Sequence, residues 1–414
     1  MDRFTGILGV VAAIGVAYAF SRDRKVVNWP RLAWGLGLQV VLAVLLLRVP
    51  GVKEGFSVFA RGVEWFLGFG DKGAEYLFGP LVGGTIEVVV EDKTGVASLG
   101  SILILKILPT ILFVSAAMSV LYHLHVLQWV VRAMAWLVTR LLRVSGAEAL
   151  ATTANVFMGM TEAPLMIRPY LRGMTESELL VVMVGGFATI SGSMMVVYSS
   201  LFGIDFEFLL AASLMNAPAA LYLSKVYFPE RETPSTLGTV NVTFERETVN
   251  VVDAAATGAT TGMKLALNIG AMLLVFSAGL QLIDACLAGV FSDESVTLGV
   301  ILGWGFAPLA WLMGAPASEA VAVGELLGKK IALNEYFAYS ALTQAELSER
   351  STRIATFALC GFANFGSIAI QLGGIGGLVP ERRTELARLG VRAMFLGALA
   401  SFSSAAIAGI ILSF

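Results

Sequence analysis

"GMTEAPLMIRPYL", residues 159–171, lies inside one of the most apolar parts of the chain, yet it carries a glutamate, an arginine and two prolines. A lipid-facing span accepts none of these readily. The stretch around it, 146–171, is too short and too interrupted to cross a bilayer twice, because each crossing takes about 20 apolar residues. Residues 315–345 have the same character, with Pro316, Glu319, Glu325, Lys329 and Lys330 set among apolar residues. Broken backbone at membrane depth is tolerated only where protein or a watery cavity satisfies it. Both stretches are therefore predicted to be re-entrant helical hairpins, each dipping into the membrane and returning to its own side.

The composition agrees with a membrane setting. Of 414 residues, 57% are hydrophobic and 14% charged, with a mean hydropathy of +0.80. Soluble domains are about half apolar and about a quarter charged. The net charge of −2 and the lack of a basic tract give no support to nucleic-acid binding. Cys286 and Cys360 stand in apolar runs and form neither a disulfide framework nor a metal spacing. His123 and His125 close an apolar run, a position that suits the membrane interface better than a metal site.

Eight spans are predicted, at 4–20, 32–49, 97–122, 177–203, 206–226, 262–291, 352–378 and 387–413. The first could be a signal peptide, with Ala17-Tyr18-Ala19 as a cleavage site. The basic cluster Arg22, Arg24 and Lys25 follows it instead of preceding it, which favours a retained span. Placing Arg22, Arg24, Lys25, Arg31, Arg382, Arg383 and Arg388 inside puts both termini outside. Loops carrying Asp205 with Glu207, and Asp293 with Glu294, then fall outside, and the polar stretch 228–255 falls inside. Residues 126–143 place Arg132, Arg140 and Arg143 among Trp and Leu, the pattern of an amphipathic interfacial helix.

The expected organisation has five parts. Residues 1–96 hold N-terminal spans and an interfacial helix as a scaffold. Residues 97–226 form a first repeat, with hairpin 146–171 and broken span 177–203. A cytoplasmic loop occupies 227–261. Residues 262–378 form a second repeat, with hairpin 315–345 and broken span 352–378, and 379–414 hold the last span.

The repeat is visible in residues. Gly186-Phe187-Ala188-Thr189 is echoed by Gly361-Phe362-Ala363-Asn364, and each opens a Gly/Ser-rich break. A glutamate after a small polar residue precedes each echo: Glu162 lies 27 residues before Thr189, and Glu335 lies 29 before Asn364. Hairpin then broken span, twice and with opposite entry sides, is the inverted repeat of a secondary transporter with its site at the midplane. The fold class is thus an all-α polytopic membrane protein with eight transmembrane helices, two opposed re-entrant hairpins and interfacial helices.

Both glutamates are candidate ligand groups. Glu162 is either paired structurally with Arg168 or exposed at the hairpin tip as an acceptor for N–H and O–H donors. Pro164 is expected to keep Ala163 out of helical geometry and the tip open. Glu335 is either salt-bridged to Lys329 or Lys330, or free for a ligand while those lysines snorkel outward. Asn155, Thr189 and Asn364 offer neutral oxygens, suited to a hard cation such as sodium or to interhelical hydrogen bonding. Phe362 is core filler or an aromatic plate. A membrane enzyme handling diphosphates would need an Asp-rich pair to hold magnesium, and no such pair sits in a predicted span. The P-loop-like Gly324 to Lys330 stretch is one residue short and lacks Ser/Thr. A channel needs rings of one ligand type, whereas here polar groups converge on two tips.

The stretches "ANVFMGMTEAPLMIRPYL", "GGFATISGS", "ALNEYFAYS" and "ALCGFANFGSIAI" closely resemble the concentrative nucleoside transporters, four motifs in order. The resemblance implies an inner-membrane homotrimer that takes up nucleosides with sodium as coupling ion, by an elevator-type movement. It implies that Gly159, Met160, Thr161 and Glu162 meet the base, with Met194 shaping its pocket. Glu335, Asn364 and Ser367 would bind ribose, with Phe362 against the nucleoside. The Asn155 and Thr189 side chains, with the Met158 and Ile190 carbonyls, would hold sodium. Many relatives carry Gln where Met160 stands, and the Gly159-Met160 pair resembles a purine-preferring subtype. A broad specificity with a purine lean follows, since a thioether contacts a large flat ring well. Proton coupling, or another polar metabolite on the same architecture, are the alternatives.

Overall fold

The computed structural model describes residues 2–82, 85–90, 93–98, 103–238, 248–293 and 295–412. It is nearly all helical. The N-terminal part is α1 (Asp2–Ala19), α2 (Trp29–Leu47) and α3 (Pro50–Phe78). A two-stranded antiparallel ribbon follows, β1 (Thr85–Val90) with β2 (Lys93–Ser98), in register from Thr85 opposite Ser98 to Val90 opposite Lys93. Then come α4 (Leu103–His123), α5 (Val126–Leu142) and α6 (Gly146–Ala154). A 3-10 turn, Ala163–Ile167, leads into α7 (Arg168–Leu171), α8 (Glu176–Ala188), α9 (Gly192–Phe202) and α10 (Phe206–Tyr227). The second half holds α11 (Val251–Phe291), α12 (Leu298–Leu312), α13 (Ala320–Ala332), α14 (Glu335–Leu342), α15 (Glu349–Leu359), α16 (Phe365–Leu378) and α17 (Arg383–Ile411).

Each predicted span overlaps one helix or, at 177–203 and 352–378, two helices separated by a break. Among the described residues, Trp29–Leu47, Glu176–Phe202, Phe206–Tyr227 and Pro380–Ile411 are each long and apolar enough to cross a membrane. Predicted span 97–122 opens on the end of the ribbon, and its residues 99–102 lie outside the described part, as do 239–247 of the polar loop, Glu294 and residue 413. The helix of span 262–291 starts earlier, at Val251, where Asn250 caps it by accepting from the Asp253 N–H. The α4–α5 junction bends by 71°. His125, in the left-handed region at φ 61°, makes that bend, and it turns α5 away from the direction of the preceding span.

Burial is organised around α17. Its run of Gly, Ala and Ser is buried on all sides, as expected of a helix enclosed by others. Small residues allow close approach, and polar side chains then fasten neighbours together. Tyr222 of α10 donates to Gln39 of α2 at 2.9 Å, and Gln39 donates to Ser404 of α17 at 2.9 Å. On the outside the apolar surface stays open: each of the seven tryptophans is exposed, by 40% to 77%. So large an exposed aromatic surface is suited to lipid and to interfaces, not to water.

Hairpin one is anchored at its base by charge. Ser145 and Glu148 form a capping box at the start of α6, and Thr175 and Glu178 form another at the start of α8. Lys225 at the end of α10 bridges Glu148 at 2.8 Å and Glu230 at 3.1 Å, all three largely buried. Lys225 also donates to Ser177 of α8 at 3.0 Å. Breaking the buried pair would leave an uncompensated charge, so Lys225 fixes α6, α8 and α10 relative to one another.

The two broken spans meet at their breaks. Asn216 of α10 donates to the Ala188 carbonyl at 2.7 Å and to the Cys360 carbonyl at 3.1 Å, the ends of α8 and α15. Gly361 has φ +136°, and a Cβ there would stand 2.8 Å from the Ala188 oxygen. Glycine at this point of the repeated Gly-Phe-Ala element is therefore a requirement of both dihedral and space.

Candidate functional site

Hairpin one turns between α6 and the 3-10 segment. Pro164 does not hold Ala163 in extended geometry, contrary to expectation. Ala163 opens the 3-10 turn, Glu162 has φ −89° and ψ −42°, and the proline sits in the first turn. There its missing N–H costs nothing, because that donor would have no partner within the helix. The Glu162 and Ala163 N–H groups both reach the Gly159 carbonyl, at 3.0 Å each. The Glu162 carboxylate accepts from the Gly159 N–H at 3.3 Å. It is exposed and borders a cleft of about 280 Å³, shared with Phe157, Met158, Ser193 and residues of α4 and α11.

The rest of the tip is packed against helices. Met160 is buried, and a Cβ on Gly186 of α8 would lie 2.8 Å from its Cβ. Thr161 enters a similar notch at Gly374 of α16, where a Cβ would lie 2.6 Å from Thr161 Cγ2. Met194, near the start of α9, is buried with its N–H on the Ser191 hydroxyl at 3.4 Å.

The four expected sodium ligands fall on two segments that touch. Asn155 caps α6 and Met158 follows in the tip, while Thr189 and Ile190 form the α8–α9 break. The Phe157 carbonyl accepts from the Gly192 N–H at 2.9 Å, joining tip to break. Asn155 is 1% exposed, and its Nδ2 donates to the Ala151 carbonyl at 3.0 Å. Its Oδ1 is buried with no hydrogen-bond partner. A buried amide oxygen without a partner is costly, and a hard cation satisfies it. Thr189 donates its proton to the Gly185 carbonyl at 2.9 Å, which leaves the hydroxyl's lone pairs directed elsewhere.

At the second hairpin, Glu335 is the first residue of α14 and is 5% exposed. The Tyr198 hydroxyl of α9 donates to Oε1 at 2.7 Å, and Asn364 Nδ2 donates to Oε2 at 3.1 Å. Asn364 in turn caps α16, accepting from the Ser367 N–H at 2.9 Å. Glu335, Asn364 and Ser367 are thus gathered at the second break. A carboxylate has about four acceptor positions, so two hydrogen bonds leave room for a ligand's donors. Phe362 is half-buried beside Gly361.

Several residues at this site carried no sequence signal as such. Tyr198 is an ordinary aromatic on an apolar helix until Glu335 is placed beside it. Lys330 does not snorkel outward: it is fully buried, donating to the Ala358 carbonyl at 2.7 Å and to Ser401 at 3.1 Å. Lys329 is the outward one, paired with Glu325 at 2.7 Å.

Helical turns whose tips meet two broken helices, on an apolar helical scaffold, suit an integral membrane transporter. The particular family follows from comparison: the chain belongs to the Na+ dependent nucleoside transporters. The N-terminal description of that family matches residues 8–81 and the C-terminal one matches 208–409, with a nucleoside recognition "Gate" element over 104–205. "Uncharacterized transporter YutK" of Bacillus subtilis is 41% identical over 99% of both chains. "Nucleoside permease NupC" of Helicobacter pylori is 36% identical over 98% of this chain and 96% of its own. Human "Sodium/nucleoside cotransporter 1" is 37% identical over 99% of this chain and 64% of its own. The solved structure of CNTnw in an inward-facing substrate-bound state superposes with a TM-score of 0.90 at 38% identity, covering 100% of this chain and 99% of that one.

Proposed function

We propose that this protein carries nucleosides into the cell together with sodium. The observation that carries the coupling is the buried, unpaired Asn155 Oδ1 at the junction of hairpin tip and helix break. Sodium bound there by Asn155, Thr189 and the Met158 and Ile190 carbonyls would bridge hairpin one to the α8–α9 break. Glu162, Thr161, Met160 and Gly159 on that hairpin, with Met194, meet the base. Glu335, Asn364 and Ser367 take the ribose hydroxyls, with Phe362 against the nucleoside. Ion and nucleoside therefore order the same hairpin, which is the physical basis of their coupling.

Hairpin one moves with α8 and α10, to which Lys225 ties it. This unit travels as one body against the α3–α4–α11 scaffold, an elevator movement. Support comes from solved structures of CNTnw in both inward-facing and outward-facing states. The protein works as a homotrimer in the inner membrane with both termini outside, and its base choice is broad with a purine lean.

The test is Asn155→Leu in proteoliposomes. The expected outcome is a joint loss of sodium dependence and nucleoside affinity. A normal sodium response in the variant would remove Asn155 from the ion site, and uptake driven by a pH gradient in sodium-free buffer would replace sodium with protons.

A further inference from the structure

One more buried polar atom stands beside the hairpin tip without a partner. Gln371 on α16 is fully buried, its Nε2 donates to the Met183 carbonyl of α8 at 2.9 Å, and its Oε1 has no hydrogen-bond partner. The carbonyl of Met183 fixes the amide's orientation, since only the NH2 end can face an acceptor. The oxygen is therefore directed away from that contact.

Its place along α16 is informative. Asn364 caps the helix, Ser367 follows three residues on and Gln371 seven residues on, so the three share one face. Beyond them, Gly374 receives Thr161 of hairpin one. The point where a Cβ on Gly186 would lie is 2.6 Å from Gln371 Nε2 and 2.8 Å from Met160 Cβ. Gln371 thus follows Asn364 and Ser367 along one face of α16, and its amide end reaches the Gly186 notch against which Met160 also packs. Methionine offers a flat ring apolar contact but almost no hydrogen bonding. An unpartnered amide oxygen on the neighbouring Gln371 is an acceptor of the kind that methionine lacks.

We propose that Gln371 is a base-selecting residue whose Oε1 accepts from a ring N–H of the nucleoside base. This deepens the nucleoside reading and rests on it. The ligand class is a nucleoside with a ring N–H donor, such as uridine at N3 or inosine at N1. Met183 positions the amide, and the bound base satisfies an oxygen that otherwise has no partner.

The experiment is competition of unlabelled uridine and 3-methyluridine against labelled uridine, in proteoliposomes of the parent and of Gln371→Met. Methionine matches glutamine in volume, so the variant loses the acceptor without opening space. In the parent, 3-methyluridine is expected to compete several-fold to about ten-fold less well, the scale of one hydrogen bond. In Gln371→Met the gap should narrow by several-fold, because the hydrogen bond is lost to both competitors and only the bulk of the added methyl group still distinguishes them. Equal competition in the parent overturns the proposal and needs no variant to be folded. An unchanged gap in Gln371→Met, or an equal loss of both competitors, also overturns it and leaves Gln371 a packing residue. Absence of both uridine and inosine uptake by the parent would sink the nucleoside reading and is seen before any ratio is measured; where only inosine is carried, inosine against 1-methylinosine replaces the uridine pair.

Discussion

Glu335→Gln isolates the charge at the second hairpin from its shape. The carboxylate accepts from Tyr198 at 2.7 Å and from Asn364 at 3.1 Å. A glutamine there has one acceptor oxygen and one NH2. The oxygen can keep the Asn364 bond, and the NH2 can face Tyr198, whose hydroxyl is able to accept as well as donate. The local fold therefore has a satisfied arrangement in the variant. What is lost is the charge, and with it the spare acceptor positions for the ribose diol. Hydrogen bonds to a charged group are worth about 1.5–3 kcal/mol. At about 1.4 kcal/mol per ten-fold, affinity should fall by roughly ten- to a hundred-fold. The assay is equilibrium binding or uptake of uridine beside 2′,3′-dideoxyuridine, which lacks both ribose donors. Parent protein should discriminate between them, and Glu335→Gln should do so far less. The ratio of uridine to adenosine should change little, because the base is met elsewhere. Equal binding of uridine and its dideoxy form by the parent would refute the ribose role, and so would an unaltered uridine affinity in the variant.

Met160→Gln should move preference toward uridine and cytidine by a few-fold to about ten-fold, since one added hydrogen bond is worth about 0.5–1.5 kcal/mol; competition of adenosine against labelled uridine measures it, and an unchanged ratio would take residue 160 away from the base. Lys330→Met should lower the melting temperature in detergent much more than Lys329→Met. The first leaves the buried Ala358 carbonyl and Ser401 without their donor, a cost of about 1–3 kcal/mol, whereas the second removes a partly exposed ion pair worth about 1 kcal/mol or less. Equal shifts would show that the buried contacts contribute no more than the surface pair.

Much of this was legible in the chain because membrane depth makes every polar residue conspicuous. Glu162, Glu335 and the doubled Gly-Phe-Ala element stood out for that reason, and each falls where hairpins and breaks meet. The positive φ of Gly361 and its close approach to Ala188 account for glycine in the second copy, whereas helical Gly186 in the first leaves room for Met160 and Gln371. What escaped was of two kinds. Leu298–Leu312 is apolar but only 15 residues long, so a span-length criterion passed over a helix that packs along α13. The β1–β2 ribbon ends the part, 1–96, expected to hold only spans and an interfacial helix, and its last two residues fall in predicted span 97–122. The second kind was orientation. Lys329 and Lys330 are adjacent and read alike, yet on a helix they point about 100° apart, so one pairs outside with Glu325 and the other enters the core. Gln371 and Asn216 are single amides in apolar stretches of the sequence, and only the fold sets them against the Met183, Ala188 and Cys360 carbonyls.

Sodium-driven uptake tests the central claim most directly. Purified protein in proteoliposomes would be given labelled uridine or adenosine, with an inward sodium gradient, with equal sodium on both sides, or with none. The account predicts accumulation above the external concentration only with the gradient, for both nucleosides. Uptake indifferent to sodium, or no uptake of either nucleoside, would contradict it.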